Sequence, residues 1–415
     1  MKIKWKRILI LLIVIILLAF GVYKIITSIT YKDNKLIYDK KDLRVNVGNT
    51  YNTKEFFKIK GGEFITKEIK FGKLGKQNIR VEYYIKPYKY YAEKTFDVYD
   101  LEAPKIFTTT NLTVYEGTKK EDLVKKVISA DNYDPKPKRM FLGNIDLNKE
   151  GIYNLTYLIE DKSGNKTTKP SKITVIKKKP ATPGSSSTPS KPSGVPFEKI
   201  YDYFKHKDNE IGIDVSKWQR DIDFKAVKKA GASFVMIRLG TQKAFKGELL
   251  LDQYFERNYK EAKKHGLKVG VYFYSYALNK DDAIKQAKFV IKNLKGKKID
   301  MPVAFDWEDF RFLPSIELSL NKLNDLRDAF LDSIKEAGYD AYNYSSKFYL
   351  DNIWKESSYP VWLAHYTFKT DYKGPYYMHQ VTHKAVIDDI NGFIDVNVYY
   401  KKGINNGRQI KNSWS

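Results

Sequence analysis

The spacing of apolar residues changes twice along this chain and divides it into three regions. Residues 8–23, ILILLIVIILLAFGVY, form one uncharged apolar run. Residues 37–176 alternate apolar and polar positions, and the region after residue 197 alternates short apolar runs with amphipathic segments of helical length. A period of two predicts strands and a period near 3.6 predicts helices. The pattern therefore predicts a multidomain protein.

The first apolar run indicates a membrane segment. With its flanking residues it supplies about 20 positions, enough to cross a bilayer. No small-residue cleavage site follows it, and the basic residues before it favour a cytoplasmic N-terminus. We predict a cytoplasmic basic end and an uncleaved transmembrane signal anchor over 1–27, which makes a single-pass cell-membrane protein with an extracellular catalytic domain. A cleaved signal peptide is the alternative. The basic residues concerned are Lys2, Lys4, Lys6 and Arg7.

The alternating region predicts a β-rich stalk. Residues 31–100 form one β-rich module, with segments such as NIRVEYYI, and residues 101–176 form a second. The second resembles bacterial immunoglobulin-like modules in its leading APKIF, its strand at Gly151–Tyr157 and its D-x-S-G-N turn at Asp161–Asn165. The resemblance implies a β-sandwich (Ig-like) stalk, of which the first module is a diverged copy.

Three aspartates of this region, Asp131, Asp134 and Asp161, are candidate calcium ligands. Aspartates in turns more often accept hydrogen bonds from nearby backbone. We therefore predict a local structural role for them and no metal site.

Residues 177–196, KKKPATPGSSSTPSKPSGVP, have no apolar period. Their Pro, Ser and Lys content predicts an extended linker. The remaining domain, 197–415, alternates predicted strands and helices, which favours a C-terminal (β/α) TIM-like barrel. The predicted strands include 211–216, 234–240, 268–277, 301–307, 361–366 and 376–382.

Polar residues lie where these strands end, which is where such barrels hold their active sites. Asp306 and Glu308 are two residues apart in MPVAFDWED and so point to one face of a strand. Two carboxyl groups held together raise one pKa, which suits glycoside hydrolysis. A salt-bridged pair and a Mg²⁺ or Ca²⁺ site are the alternatives. Asp214 also ends a predicted strand, and Asp395 lies in the last one, GFIDVNVYY, which favours the glycosidase interpretation.

Aromatic rings at the strand ends favour a sugar substrate, although any single ring more often belongs to the core. Trp362 and Tyr274 are the strongest candidates. The predicted substrate-binding residues are Tyr272, Tyr274, Trp362, Arg238 and Gln380.

The whole domain from about 208 to 402 resembles the family-25 glycoside hydrolases, the Chalaropsis-type muramidases. The motifs are GIDVSKWQ, FVMIR, GLKVGVY, MPVAFDWED, VWLAHY and DVNVY. The resemblance implies cleavage of the β-1,4 bond between N-acetylmuramic acid and N-acetylglucosamine in peptidoglycan. It implies that Glu308 is the general acid, that Asp306 assists the substrate acetamido group, and that Asp214 and Asp395 are further acidic residues of the cleft. No metal or organic cofactor is implied.

The composition of the chain limits the classes of partner and of site that we expect. The chain has 415 residues, 74 Lys and Arg against 49 Asp and Glu, and a net charge of +25. That charge favours anionic wall polymers as partners beside peptidoglycan and the membrane. The lysines are dispersed, so we predict no nucleic-acid site. The absence of cysteine excludes disulfides, thiolate metal sites and a cysteine nucleophile. The alternative to an enzyme is a wall-binding surface protein that has lost activity.

Overall fold

A computed structural model describes residues 13–24, 30–32, 36–38, 44–177 and 194–409. The chain divides into two units. One comprises residues up to 103 together with 161–165, and the other comprises 104–160 and 166 onward.

The N-terminal transmembrane helix predicted from the apolar run is not supported. Residues 13–24 form helix α1. Within the described ranges, no helix has the length and apolar character needed to span a membrane. The basic end and the beginning of the apolar run lie outside these ranges.

The first unit is built on a five-stranded sheet in which β1, β9, β8 and β6 are successive neighbours and β3 also pairs with β9. Phe56, Phe71 and Phe96 are buried together and form its aromatic core. Its strands are β1 (Thr30–Lys32), β2 (Ile37–Tyr38), β3 (Val45–Asn46), β4 (Thr50–Asn52), β5 (Phe57–Lys58), β6 (Glu63–Phe64), β7 (Glu68–Lys70), β8 (Gly75–Ile85) and β9 (Tyr88–Tyr99).

Residues 104–160 and 166–176 form a second β-rich region, here called the β module. Its main sheet has the order β11-β15-β14-β13, and β10 pairs with β12. The elements are β10 (Lys105–Ile106), β11 (Leu112–Tyr115), α2 (Lys120–Lys125), β12 (Ser129–Ala130), β13 (Lys138–Leu142), β14 (Gly151–Glu160) and β15 (Lys166–Ile176). Alternate residues such as Leu155 and Tyr157 are buried, as the two-residue period predicts. The immunoglobulin-like assignment stays a prediction.

The predicted local role of the module's aspartates agrees with its hydrogen bonds. Asp131 Oδ1 accepts the backbone N–H groups of Tyr133, at 2.8 Å, and of Asp134. Asp134 Oδ1 accepts the N–H of Lys136 at 2.9 Å. These bonds fix the loop after β12.

The C-terminal domain is a closed barrel flanked by helices. The strands are β16 (Val195–Pro196), β17 (Asn209–Val215), β18 (Phe234–Gln242), β19 (Leu249–Leu251), β20 (Lys268–Tyr274), β21 (Val303–Asp306), β22 (Ala341–Ser346), β23 (Val361–Ala364), β24 (Tyr376–Val386), β25 (Ile394–Asn405) and β26 (Arg408–Gln409). The helices are α3 (Phe197–Phe204), α4 (Phe224–Lys229), α5 (Phe255–Lys264), α6 (Lys280–Leu294), α7 (Leu320–Glu336) and α8 (Lys347–Asn352). Strand β16 includes the last two residues of the predicted linker, and residues 178–193 lie outside the described ranges.

The predicted TIM-like (β/α) barrel is wrong, because the barrel is mixed. Neighbouring strands run parallel in the order β24-β23-β22-β21-β20-β18-β17, but β25 closes the barrel antiparallel to both β17 and β24. Helices follow only the earlier strands, and residues 365–375 and 387–393 contain none. An antiparallel neighbour needs only a short connection, whereas a parallel one needs a crossover. The repeated strand–helix pattern therefore ends before the barrel does.

The barrel strands are apolar on both faces because one face packs inward and the other packs on helices. On β18, Phe234 and Met236 belong to the interior cluster. Val235 and Ile237 alternate with them and belong to the larger outer core. This alternation orients the polar residues near the strand ends.

The β module supplies hydrogen-bond partners for the first turn of α7. The carbonyl oxygens of Asp131 and Asn132 accept the N–H groups of Leu320 and Asn321, both at 2.9 Å. First-turn N–H groups have no acceptor within their own helix. Ala130 is buried within the barrel's outer core. The start of α7 is therefore completed by another part of the chain.

Candidate active site

A cleft of about 260 Å³ lies at the C-terminal ends of the parallel strands. All nine predicted site residues line it: Asp214, Arg238, Tyr272, Tyr274, Asp306, Glu308, Trp362, Gln380 and Asp395. Five further residues line it as well: Ser216, Trp218, Gln219, Tyr344 and Tyr366. The structure thus brings together residues that are far apart in the sequence. Asp214 and Asp395 are separated by 181 positions.

Asp306 ends β21 within a nearly dry part of this cleft. It is 2% exposed, and its register neighbours are Tyr274 on β20 and Tyr344 on β22. Its Oδ1 atom is buried and accepts no hydrogen bond from any residue that the structure describes. Burial, and secondly the charge of Glu308, raise the pKa of Asp306 well above its usual range.

Glu308 follows Asp306 by two residues and lines the same cleft. Burial raises the pKa of Glu308 to about 7, and the charges of Asp214 and Asp309 act in the same direction. A carboxyl group of this kind keeps its proton at mildly acidic pH and can donate it.

Asp214 and Asp395 face each other on adjacent strands, because their Cα atoms are partners in the antiparallel register of β17 and β25. Burial raises the pKa of Asp214 to about 6, although two amide hydrogen bonds oppose this shift. Burial, followed by the charge of Asp214, raises the pKa of Asp395 to about 8. A cation at this site would need ionised carboxylates, and burial opposes ionisation of all four acids.

Two side-chain amides hold Asp214 in place. Gln380 Nε2 and Asn397 Nδ2 each donate to Asp214 Oδ2 at 2.8 Å. The opposite ends of these amides are also occupied, since Tyr344 OH donates to Gln380 Oε1 and Trp362 Nε1 donates to Asn397 Oδ1. A hydroxyl or indole donor at the oxygen fixes which end of each amide faces Asp214.

Asn397 was not predicted from the sequence. It lies two residues after Asp395 on β25, so the same two-residue spacing that identifies Asp306 and Glu308 could have found it. Tyr344 was also missed, and its position beside Asp306 becomes visible only through the strand register.

Arg238 lines the cleft but is already bound within the protein. Its Nε and Nη2 atoms contact Asp252 Oδ2 at 2.8 Å and 2.7 Å. The same oxygen accepts the backbone N–H of Lys217 at 3.0 Å. Asp252, which the sequence did not single out, therefore connects the Arg238 side chain to the turn that carries Trp218.

The aromatic residues of the cleft fall into two groups. Trp362 is 1% exposed and packs edge-on against Tyr344 and Tyr272, so its ring faces are covered. Trp218 and Tyr366 are 74% and 54% exposed, and both line the cleft. These two rings are more accessible to a ligand than Trp362 is. Each also has a neighbour: Lys217 Nζ lies 5.0 Å from the centroid of the Trp218 ring, and the ring centroids of Tyr366 and His383 are 4.3 Å apart. The VWLAHY segment ends in Tyr366, but the prediction had used only its Trp.

The comparisons with known proteins agree with this chemistry. The sequence model of the family "Glycosyl hydrolases family 25" matches residues 213–390. An uncharacterised protein, YegX, from Escherichia coli K12 is 31% identical over 194 residues, which are 45% of this chain and 68% of that protein. An autolytic lysozyme from Clostridium acetobutylicum is 28% identical over 191 residues, 45% of this chain and 55% of that protein. The cleft belongs to a glycoside hydrolase, and the chain belongs to glycosyl hydrolase family 25 through its C-terminal domain.

Solved structures of similar proteins include a family 25 glycosyl hydrolase from Bacillus anthracis. It is 23% identical and covers 46% of this chain and 88% of its own, with a TM-score of 0.40. The modular autolysin LytC from Streptococcus pneumoniae, solved with a synthetic peptidoglycan ligand, is 21% identical. It covers 59% of this chain and 56% of its own, with a TM-score of 0.42.

Proposed function

We propose that this protein is a peptidoglycan muramidase. It cleaves the β-1,4 bond between N-acetylmuramic acid and N-acetylglucosamine, with Glu308 as general acid and Asp306 assisting the acetamido group of the substrate. The observation that carries the proposal is the pair Asp306 and Glu308, which shares one cleft and in which the pKa of Glu308 is raised to about 7.

Glu308 can act as the general acid because its carboxyl group holds a proton that it can donate. Cleavage of a glycosidic bond needs an acid that protonates the departing oxygen. The raised pKa keeps that proton on Glu308 at mildly acidic and near-neutral pH, while the opening of the cleft lets a sugar oxygen approach.

The role of Asp306 is supported by its free oxygen. Oδ1 is buried without a hydrogen-bond partner in the described ranges, and a buried acceptor gains most from a donor that can reach it. The acetamido N–H of the sugar is such a donor. In its ionised form Asp306 would orient this group and increase its nucleophilicity, and the acetamido oxygen would then attack the anomeric carbon as the leaving group departs.

The supporting residues have separate tasks in this proposal. Asp214, fixed by Gln380 and Asn397, and Asp395 shape the polar floor of the cleft. Trp218 and Tyr366 provide accessible rings for sugar binding.

We further propose that the barrel acts outside the cell membrane, where peptidoglycan lies. The net charge of +25 supports contact with anionic polymers of the wall. This part of the proposal rests on the substrate and the charge alone.

The test is digestion of purified peptidoglycan with the full chain, followed by borohydride reduction and mass spectrometry of the new ends. We expect reduced muramic acid ends with the wild-type protein and none with Glu308→Gln. Glu317→Gln is the matched control, because Glu317 is exposed and pairs with Lys136 away from the cleft. Reduced glucosamine ends would show that a different bond is cut. Wall binding without any new ends would favour an inactive wall-binding protein instead.

A further inference from the structure

Asp309 is the third carboxylate of the strand-end motif, and the proposed reaction leaves it without a role. It follows Glu308 directly in the chain, and its side chain is 8% exposed. Tyr274, which lines the cleft, donates its hydroxyl to Asp309 Oδ2 at 3.3 Å. The carboxylate of Asp309 therefore lies behind a residue that lines the cleft and belongs to the residue next in sequence to the proposed acid.

Both oxygens of Asp309 are held. Tyr274 occupies Oδ2, and Arg311 Nε lies 3.2 Å from Oδ1. The backbone is fixed too, because Glu308 O accepts the N–H of Phe310 at 2.7 Å and Asp309 O accepts the N–H of Phe312 at 3.0 Å. Arg311 is 72% exposed, so water screens its charge, whereas Asp309 is largely shielded.

We propose that Asp309 is a positioning residue whose fixed negative charge keeps Glu308 in its protonated, proton-donating form. The inference rests on the proposed function, in which Glu308 is the general acid. Asp309 need not touch the substrate, because its charge acts on Glu308 through a poorly hydrated part of the protein.

The charge of Asp214 also raises the pKa of Glu308, and more strongly than that of Asp309 does, but Asp214 itself gains and loses a proton within the working range. Burial raises the pKa values of Asp214, Asp306 and Asp395, so these acids hold their own protons over part of the working range. Asp309 instead forms an ion pair with Arg311. The charged and titratable groups facing this region are Asp214 on β17, Arg238 on β18, Tyr272 and Tyr274 on β20, Tyr276 after β20, Asp306 on β21, Asp309 and Arg311 after β21, Tyr344 on β22, Tyr349 on α8, Tyr366 after β23 and Asp395 on β25.

The test compares pH profiles of kcat/KM on peptidoglycan for the full chain. Asp309→Asn removes the charge and keeps the size, so we expect its alkaline limb to move to lower pH by roughly one unit. Arg311→Gln removes the opposing charge and should move the limb to higher pH, by less because Arg311 is exposed. Asp309→Glu keeps the charge and should keep the wild-type limb.

Glu317→Gln, an exposed carboxylate on the same loop, is the control and should leave the limb unchanged. An unshifted limb in Asp309→Asn would overturn the inference. A shift of the same sign in Asp309→Asn and Arg311→Gln would also overturn it, because that result indicates general loosening of the loop.

A direct titration separates this inference from the proposed function. The carboxyl signal of Glu308, identified by its loss in Glu308→Gln, can be followed by ¹³C NMR with labelled glutamate in folded protein. An Asp309→Asn protein with a lowered Glu308 titration point supports the inference, and an unchanged point overturns it. Retained activity in Glu308→Gln would instead overturn the assignment of the acid itself.

Discussion

Asp131 of the β module and Asp306 of the barrel are both buried aspartates beside a strand, yet their oxygens have different partners. Asp131 is 0% exposed, and its Oδ1 accepts two backbone N–H groups. Asp306 is 2% exposed, and its Oδ1 accepts none from the described residues. Backbone donors commit the Oδ1 atom of Asp131 to holding a loop. The lack of such donors leaves the second one available for a ligand, at a cost to stability.

The largest effect expected from this comparison is on turnover. Asp306→Asn should lower kcat by roughly a hundredfold to ten-thousandfold, as loss of a group acting in the transition state does. Asp131→Asn should leave kcat within about twofold, since the Asp131 side chain belongs to the β module and does not line the cleft. Steady-state kinetics on peptidoglycan measure both. Equal losses in the two variants would show that the environment does not separate their roles.

The next effect is the pH dependence of activity. Because the pKa of Glu308 is raised to about 7, the protonated acid is present below that pH and is lost above it. We expect kcat/KM to fall about tenfold per pH unit on the alkaline side. Measurements of kcat/KM from pH 4 to 9 define the alkaline limb of the profile. A flat profile up to pH 9 would contradict a general acid with this pKa.

A smaller effect concerns the free energy of unfolding. The pKa of Asp395 is about 8 in the folded protein and near 3.8 when unfolded, so the folded state binds the proton more tightly. The favourable contribution of Asp395 to the free energy of unfolding is fully present below pH 4, where the group is protonated, and is lost as the pH rises toward 8. Asp395→Asn removes this loss and should stabilise the protein at pH 8 by roughly 0.5 to 2 kcal/mol, with little change at pH 4.

Denaturant unfolding at both pH values measures the difference for Asp395. Asp122→Asn in the β module is the control, because Asp122 is exposed and pairs only with Lys125 one turn away. Equal stabilisation at pH 4 and pH 8 would contradict the protonation argument.

The smallest effect is on the loop that Asp131 organises. Asp131→Ala removes the acceptor of two N–H groups and should cost about 1 kcal/mol, as loss of a helix cap does. The amide protons of Leu320 and Asn321 should then exchange faster, because the carbonyls that accept them belong to this loop. Hydrogen exchange resolved by NMR measures both. Unchanged exchange would show that α7 does not depend on the β module.

Much of the site could be predicted because strand period and strand ends are local properties. Asp214, Asp306 and Glu308 each end or follow an apolar run, and a barrel of parallel strands brings such ends together. Asp395 lies at the start of β25 and reaches the same cleft because that strand is antiparallel. The direction of β25 could not be predicted in this way, because antiparallel pairing with β17 depends on contacts across the whole domain. Tyr344 and Asp252 were missed for the same reason, since their importance comes from neighbours on other strands.

Exposure differs among the aromatic side chains that line the cleft. Trp362 and Trp218 both lie at a predicted strand or just after one, but only the structure shows that the first is covered and the second is open. Large rings serve cores and ligands equally well, and residue type alone does not separate the two uses.

Strand β25 also has a consequence for the order of events during synthesis. It brings Asp395 and Asn397 to Asp214, and Asn397 is 183 residues later in the chain than Asp214. A ribosome therefore completes Asp214, Asp306 and Glu308 long before it makes the strand that closes the barrel. Contacts this distant in sequence form late. A nascent chain that stops short of β25 contains Asp306 and Glu308 but lacks a closed cleft. We therefore expect hydrolytic activity only after β25 has been made and has paired with β17 and β24.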